Sequence, residues 1–401
     1  MKLVPITPDG LEPGHPLPFS LRDINGQVLV HRGSPIADQQ QLGYLLARAL
    51  FIEEGEKDFA QRQLNAQVDQ MFRAGGGTLG AIAALRPEFD QRATEPMPLV
   101  ERPLEWPDLE SRARVLLGDT RVTRWQPRLD ELAQEMLNRL DRQVDATLLR
   151  FIHIAGSRPE DYSTHHAILV MLLCALAGPR VPGWQPEWRR PLTRAALTMN
   201  VGMTVLQQAL VRQAEPLNPA QRTQVEAHAQ RGVDLLQAAG VDDPLWLGAM
   251  RHHHDAPSGP LDKLEPAVRL ARLIQRADRY AARLSTRRNR AALSAKAAAQ
   301  AAFFDEGGHP DEAGQALLAE TGLHPPGAWV KLACGEIALV MKRQPNPKAP
   351  LTVVSLVNRE GMPLAVPALR HTALPKYKVE GGVPSGDVRV QPNLEQLQKL
   401  V

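Results

Sequence analysis

The sequence predicts a multidomain, mainly α-helical protein: a central all-helical bundle with small β-containing modules at the N- and C-termini. Three observations support this fold class. The chain has 401 residues, which suits two or three domains. Apolar residues recur every three or four positions through its middle, as on one face of a helix. Short apolar runs between turn residues, typical of β-strands, lie near both ends.

The composition excludes several classes of protein. Hydrophobic residues make up 43% and charged residues 23%, so the chain can bury a large core. A net charge of +3 and only 4% aromatic residues argue against nucleic-acid binding. Cys174 and Cys334 are far apart and predict neither a disulfide framework nor a cysteine zinc site. The longest apolar run has 11 residues, a membrane span needs about 20, and no signal peptide begins the chain. We therefore expect a cytoplasmic protein.

The N-terminal module is predicted over residues 1–55. A turn at Asn25-Gly26 precedes a strand at 27–30, and a short helix follows at 39–50. Residues 56–145 are predicted as a helical and proline-rich connecting region, with a flexible glycine loop at 75–80 that lacks the lysine of a phosphate-binding loop.

The pattern becomes strongly helical from Pro127, where one apolar stripe runs from Leu129 to Phe151. This stripe fits either a helix packed within its own domain or a dimer or signalling helix. The helical domain is predicted over 146–300. Its helices are expected at 162–177, 192–212, 219–239, 244–254, 265–284 and 292–302.

A linker at 301–325 and a small β-module at 326–401 are predicted to complete the chain. Two apolar runs flank a turn at 333–335 and indicate a hairpin, and a third strand is expected at 351–357. A loop is predicted at 381–386, and a short helix is predicted at the end of the chain.

Histidines are concentrated in the helical domain, which holds seven of the twelve between positions 153 and 254. Histidines and carboxylates that converge from several helices can build a metal site inside a bundle. Structural or surface histidines are the alternative for each residue taken alone.

The order and spacing of these residues resemble the HD-GYP domain, a branch of the HD phosphohydrolases, over about residues 146–300. The resemblance implies an HD-type bundle that hydrolyses cyclic di-GMP with two or three metal ions, often iron or manganese. The residues that match its metal ligands are Asp161, His165, His228, His253, His254 and Asp278, and those that match its basic phosphate-binding stretch are Arg287 and Arg290. The match to the family's His-His pair could also shift by one residue, to His252 and His253.

The sequence departs from this family at the His-Asp pair itself. Met199 stands at the histidine position, Asn200 at the aspartate position and Met203 at the position of a usual lysine. A thioether is a poor ligand for hard divalent ions, and a neutral amide cannot bridge two cations. The loop at 256–260 also lacks the tyrosine of the Gly-Tyr-Pro signature.

We therefore predict a degenerate, catalytically inactive HD-GYP-like protein that acts in bacterial signalling by binding a cyclic dinucleotide or as a regulatory scaffold. The alternative is a metal-dependent cyclic di-GMP phosphodiesterase with a reduced site. The expected cofactor is none or a single divalent metal. The expected partners are cyclic di-GMP or a related nucleotide, a signalling protein and, through the stripe, a second copy of the chain. For Arg287 and Arg290, a solvated basic face is the alternative to phosphate binding.

Overall fold

The structure is a computed structural model that describes residues 2–6, 11–24, 26–48, 50–58, 62, 68, 104–157, 159–344, 346 and 349–401. It confirms a mainly α-helical chain with two small antiparallel sheets. The chain divides into two compact units, Met1–Val115 and Leu116–Val401. The predicted glycine loop at 75–80 lies outside the described residues, as do the turn residue Asn25 and, within the predicted connecting region, residues 59–61, 63–67 and 69–103.

The first unit contains a four-stranded antiparallel sheet in the order β1-β4-β2-β3. Its strands are β1 (Leu3–Ile6), β2 (Leu21–Arg22), β3 (Val28–Val30) and β4 (Leu50–Glu53). Helix α1 (Gln39–Leu46) begins at Asp38, whose Oδ1 accepts a hydrogen bond from the backbone N–H of Gln41. The helix is shorter than predicted because Leu50–Glu53 pairs with β1 instead of continuing it.

Helix α2 (Trp106–Gly118) contains the boundary between the units, and the second unit continues with ten further helices of the described chain before its sheet. These are α3 (Trp125–Arg142), α4 (Val144–Ser157), α5 (Tyr162–Ala177), α6 (Arg189–Thr198), α7 (Thr204–Arg212), α8 (Pro219–Ala238), α9 (Pro244–Arg251), α10 (Pro266–Leu284), α11 (Ala295–Phe303) and α12 (Glu312–Thr321). Two helices that the periodicity predicts as continuous are broken, one at Gln143 and the other at Met199 and Asn200. Apolar spacing continues across both breaks, so it does not reveal them.

Helix α5 lies at the centre of the second unit and contacts α4, α6, α7, α10 and α12. Its residues are buried on almost every side, which explains why its sequence is apolar all round rather than striped. With the turn that follows, Tyr162–Arg180 is long and apolar enough to cross a membrane, yet 89% of it is buried inside the protein. The few polar side chains on this helix, including His165 and His166, are therefore placed in the interior.

The second unit also contains a five-stranded antiparallel sheet in the order β8-β7-β6-β5-β9. Its strands are β5 (Trp329–Leu332), β6 (Ile337–Val340), β7 (Thr352–Val357), β8 (Pro363–His371) and β9 (Val379–Val383), and the tail helix is α13 (Leu394–Gln398). The predicted hairpin, third strand and tail helix are all present. The predicted loop at 381–386 is wrong in its first part, because residues 381–383 pair with β5.

The sheet packs on helix α4 through a shared core that includes Leu149 and Trp329. Gly327 allows the sheet to pack this closely on α4. Its φ is +90°, and a Cβ atom there would lie 2.7 Å from the carbonyl oxygen of Leu149. The stretch 301–325, expected to be a linker, holds helix α12, which packs on α5 and α10. The helices and this sheet therefore form one unit.

Candidate functional site

Three imidazoles meet at one point of the second unit. His228 projects from α8, and His253 and His254 come from the turn directly after α9. One ring nitrogen from each histidine lies within 4.8 Å of those of the other two. The two elements are fixed locally at their starts: Asn218 and Gln221 form a capping box on α8, and the Asp243 carboxylate caps α9.

The hydrogen bonds of His228 and His253 orient both rings toward each other. His228 Nδ1 donates to the carbonyl oxygen of Val225, and His253 Nδ1 donates to that of Met250. In this tautomer each Nε2 carries a lone pair, and the two Nε2 atoms are 3.2 Å apart. Two lone pairs at this distance repel each other unless a proton or a cation lies between them.

The 3.2 Å separation also suits a metal ion. Two ligands at about 2.0–2.1 Å on one tetrahedral ion have their nitrogen atoms about 3.3–3.4 Å apart. Backbone carbonyls that fix the ring through Nδ1 are the usual outer contacts of metal-bound histidines. The residues present therefore fit one divalent ion. Imidazole donors favour iron or zinc over manganese, which prefers carboxylate and water oxygens.

Burial keeps two of the three imidazoles, those of His228 and His253, neutral, as a metal ligand must be. Burial lowers the pKa of His253 to about 3, and the neighbouring His254 adds to this effect. Burial also lowers the pKa of His228. Both side chains are consequently ready to coordinate a cation at neutral pH without first losing a proton.

A carboxylate lies near the triplet but outside it. Asp278, on α10, is close enough for its charge to affect the pKa values of His228 and His253. Its Oδ1 accepts a hydrogen bond of 2.7 Å from Nε2 of His166 on α5. Burial would raise the pKa of Asp278, but this bond and the surrounding imidazoles lower it well below its usual range. Asp278 is thus held as an anion.

The segment with the family's His-Asp positions packs directly on the helix that carries His228. Gly202 lies so close that a Cβ atom there would be 2.2 Å from the carbonyl oxygen of His228. Two residues earlier, Asn200 is buried, and its Oδ1 has no hydrogen-bond partner among the residues that the structure describes. Met199 is fully buried and Met203 half-buried. At this side of the triplet the chain offers a thioether and an amide instead of an imidazole and a carboxylate.

Sequence reasoning identified most of this set but chose one histidine differently. It selected His165, whereas the structure brings the next residue, His166, into contact with Asp278. His165 is buried on α5 and stands outside the triplet, and Asp161 lies at the start of the same helix. His252 is partly exposed and pairs with Asp255, so His253 and His254 are the pair that joins His228.

Among the described residues, the guanidinium of each candidate phosphate-binding arginine donates one hydrogen bond. Arg287 Nη2 donates to the Tyr162 hydroxyl at 2.8 Å, and Arg290 Nη2 donates to the carbonyl oxygen of Ala282. Within the described part of the chain, neither guanidinium is paired with a carboxylate, and the Nε of each is buried without a partner. Burial and the nearby positive charges of Arg287 and Arg283 lower the pKa of Arg290. This is an uncompensated positive cluster with unused donors.

Comparisons with known proteins gave one likeness. No protein-family model and no curated protein matches the chain. Among solved structures, the chain is similar to a protein from Bdellovibrio bacteriovorus that is described as an HDG"Y"P protein. The TM-score is 0.41 and the sequence identity 16%, and the match covers 79% of this chain and 98% of that chain.

Proposed function

We propose that this chain is a non-hydrolytic, HD-GYP-like regulatory protein of the bacterial cytoplasm. It holds at most one divalent cation at His228, His253 and His254, and it binds cyclic di-GMP or a related cyclic dinucleotide. The observation that carries the proposal is the segment beside His228, where Met199 and Asn200 supply neither an imidazole nor a bridging carboxylate.

A hydrolytic site of this class needs two cations side by side to polarise the phosphate and to activate water. Three neutral imidazoles can hold one cation, but they contribute no charge to offset a second. Asp278 is the nearby anion, and it is already bonded to His166. Loss of one element that stabilises developing charge costs about 10²–10³ in rate. The missing imidazole and the missing carboxylate both act in this direction, so we expect negligible hydrolysis of the nucleotide.

Dinucleotide binding is supported by the positive cluster. Arg287 and Arg290 retain unused N–H donors and lack carboxylate partners among the described residues, and a guanidinium binds phosphate oxygens in pairs. A protein that binds the nucleotide without destroying it can report its concentration to a signalling partner.

The central experiment counts metal in protein purified without a histidine tag. We expect no more than one divalent ion per chain, with no hydrolysis of cyclic di-GMP in added ferrous iron or manganese. The double variant Met199→His with Asn200→Asp should bind additional metal, because it restores an imidazole and a carboxylate beside the triplet. Met199→Leu with Asn200→Leu is the matched control and should not gain metal.

Nucleotide binding is tested by calorimetry with cyclic di-GMP. We expect Arg287→Ala and Arg290→Ala to weaken binding, whereas Arg288→Ala, an exposed arginine of the same stretch, should leave it unchanged. Equal loss from all three variants would indicate a general charge effect, and no binding by the wild-type chain would remove the nucleotide from the proposal.

The retained triplet supports a second candidate, a metal-dependent phosphodiesterase with a reduced site. It predicts turnover by the unmodified protein that His253→Ala or Asp278→Ala abolishes. Such a result would replace the non-hydrolytic proposal.

A further inference from the structure

A continuous line of side chains connects the positive cluster to Asp278. The guanidinium of Arg287 lies over the ring of Tyr162, 5.3 Å from its centroid, and donates to its hydroxyl. The Tyr162 ring stacks on the His166 ring, with centroids 5.2 Å apart and an angle of 17° between planes. His166 then donates to Oδ1 of Asp278. Each member is fixed by the one before it.

We propose that His166 is a positioning residue for the metal site: it holds Oδ1 of Asp278 so that the other carboxylate oxygen faces the cation bound by the three imidazoles. This inference rests on the proposed function, because it assumes that the triplet binds a cation. Neutral imidazoles leave the full double charge of a divalent ion uncompensated. A nearby carboxylate supplies negative charge, directly or through a water molecule.

The exposure of the two partners fits this role. The His166 side chain is only 1% exposed, whereas that of Asp278 is 23% exposed. Within the described residues, Asp278 makes this one side-chain hydrogen bond, which leaves its second oxygen available. A pair that served only to join α5 and α10 would gain from enclosing both oxygens. Here the donor is enclosed and the acceptor stays accessible on one side.

The packing of His166 explains why one hydrogen bond is sufficient. A histidine that could rotate would direct its donor elsewhere, but the stacked Tyr162 ring limits that rotation, and Arg287 holds Tyr162 in turn. Outer residues that orient a ligand of a metal site typically change metal affinity by about 10–100-fold when they are replaced.

The test compares His166→Phe with His166→Gln. Phenylalanine keeps an aromatic ring against Tyr162 but has no donor, whereas the glutamine amide can place an N–H near the position of Nε2. We would measure the affinity for Co²⁺ by competition with a chelator, and record the visible spectrum of the bound Co²⁺. The phenylalanine variant should bind about 10–100-fold more weakly with an altered spectrum, and the glutamine variant should recover most of the affinity.

A double-mutant cycle with Asp278→Asn separates an effect that passes through Asp278 from a general effect of the His166 substitution on folding. If His166 acts through Asp278, His166→Phe should cause no further loss of Co²⁺ affinity in the Asp278→Asn background. Equal weakening by phenylalanine and glutamine, or unchanged affinity in both, would overturn the positioning role while leaving the metal site in place. Absence of Co²⁺ binding by the wild-type protein would overturn the proposed metal site itself, and the inference with it.

Discussion

Lowering the pH below about 6.5 should destabilise the metal-free protein, because His253 is buried as a neutral imidazole. Its pKa in the folded protein is about 3, whereas a histidine in an unfolded chain has a pKa of about 6.5. Between these values the unfolded chain binds a proton that the folded protein does not, so the free energy of unfolding falls as the pH falls. The loss begins near pH 6.5 and ends near pH 3.

The size of this effect follows from the same pKa values. Each pH unit below 6.5 costs about 1.4 kcal/mol while the folded imidazole stays neutral. Between pH 7 and pH 5, His253 should therefore lower the free energy of unfolding by about 2 kcal/mol. His228, whose pKa is also lowered by burial, acts in the same direction.

Urea unfolding of chelator-treated protein at pH 7 and pH 5 provides the assay. Tryptophan fluorescence reports mainly on the unit that contains the site, because five of the six tryptophans, including the buried and stacked Trp125 and Trp246, belong to that unit. His253→Gln is the matched control, because its amide stays neutral at both pH values. The wild-type chain should lose about 2 kcal/mol more than the variant over this interval. Equal losses in the two proteins would refute the assignment of His253 as a buried neutral group.

Two further variants test the packing around the site. Gly202→Ala would place a Cβ atom 2.2 Å from the backbone of α8, and we expect a loss of about 1–3 kcal/mol in thermal unfolding. Gly118→Ala, where the added atom meets nothing within 4 Å, is its control. Arg272→Leu removes the nearer of the two guanidiniums that pair with the buried Asp311 carboxylate and leaves Arg276 at 3.8 Å. It should cost up to about 3–5 kcal/mol in urea unfolding. Arg359→Ala, which removes an exposed ion pair, should cause no measurable change.

The choice between His165 and His166 illustrates what sequence spacing can and cannot determine. The sequence shows that α5 carries two adjacent histidines, and the family resemblance selects the first of them, His165, as the site residue. Adjacent residues of a helix point about 100° apart, so only the packing of the helix decides which ring meets Asp278. Because α5 is buried on almost every side, its sequence has no polar face that could have indicated the orientation.

The triplet and Asp278 were easier to predict than His166, the histidine that donates to Asp278. His228, His253 and His254 were all expected in the site, and the structure brings them together.

Strands β8 and β9 were not predicted from the sequence, for a different reason. β8 contains two prolines and β9 contains two glycines, and both residue types are depleted in strands. The two strands lie at the two edges of the sheet, where such residues are tolerated.

The two parts of the candidate site differ in how far apart their residues lie along the chain, which has a consequence for folding order. His228 and His253 are 25 residues apart. His228 lies on α8 and His253 in the turn directly after α9, the next helix, so only a short loop must close to bring them together. His166 and Asp278 are 112 residues apart, and their contact needs α5 and α10 to be docked. Closing the longer loop costs more chain entropy. During refolding we therefore expect the imidazole triplet to assemble first, able to capture a cation before the carboxylate is in place.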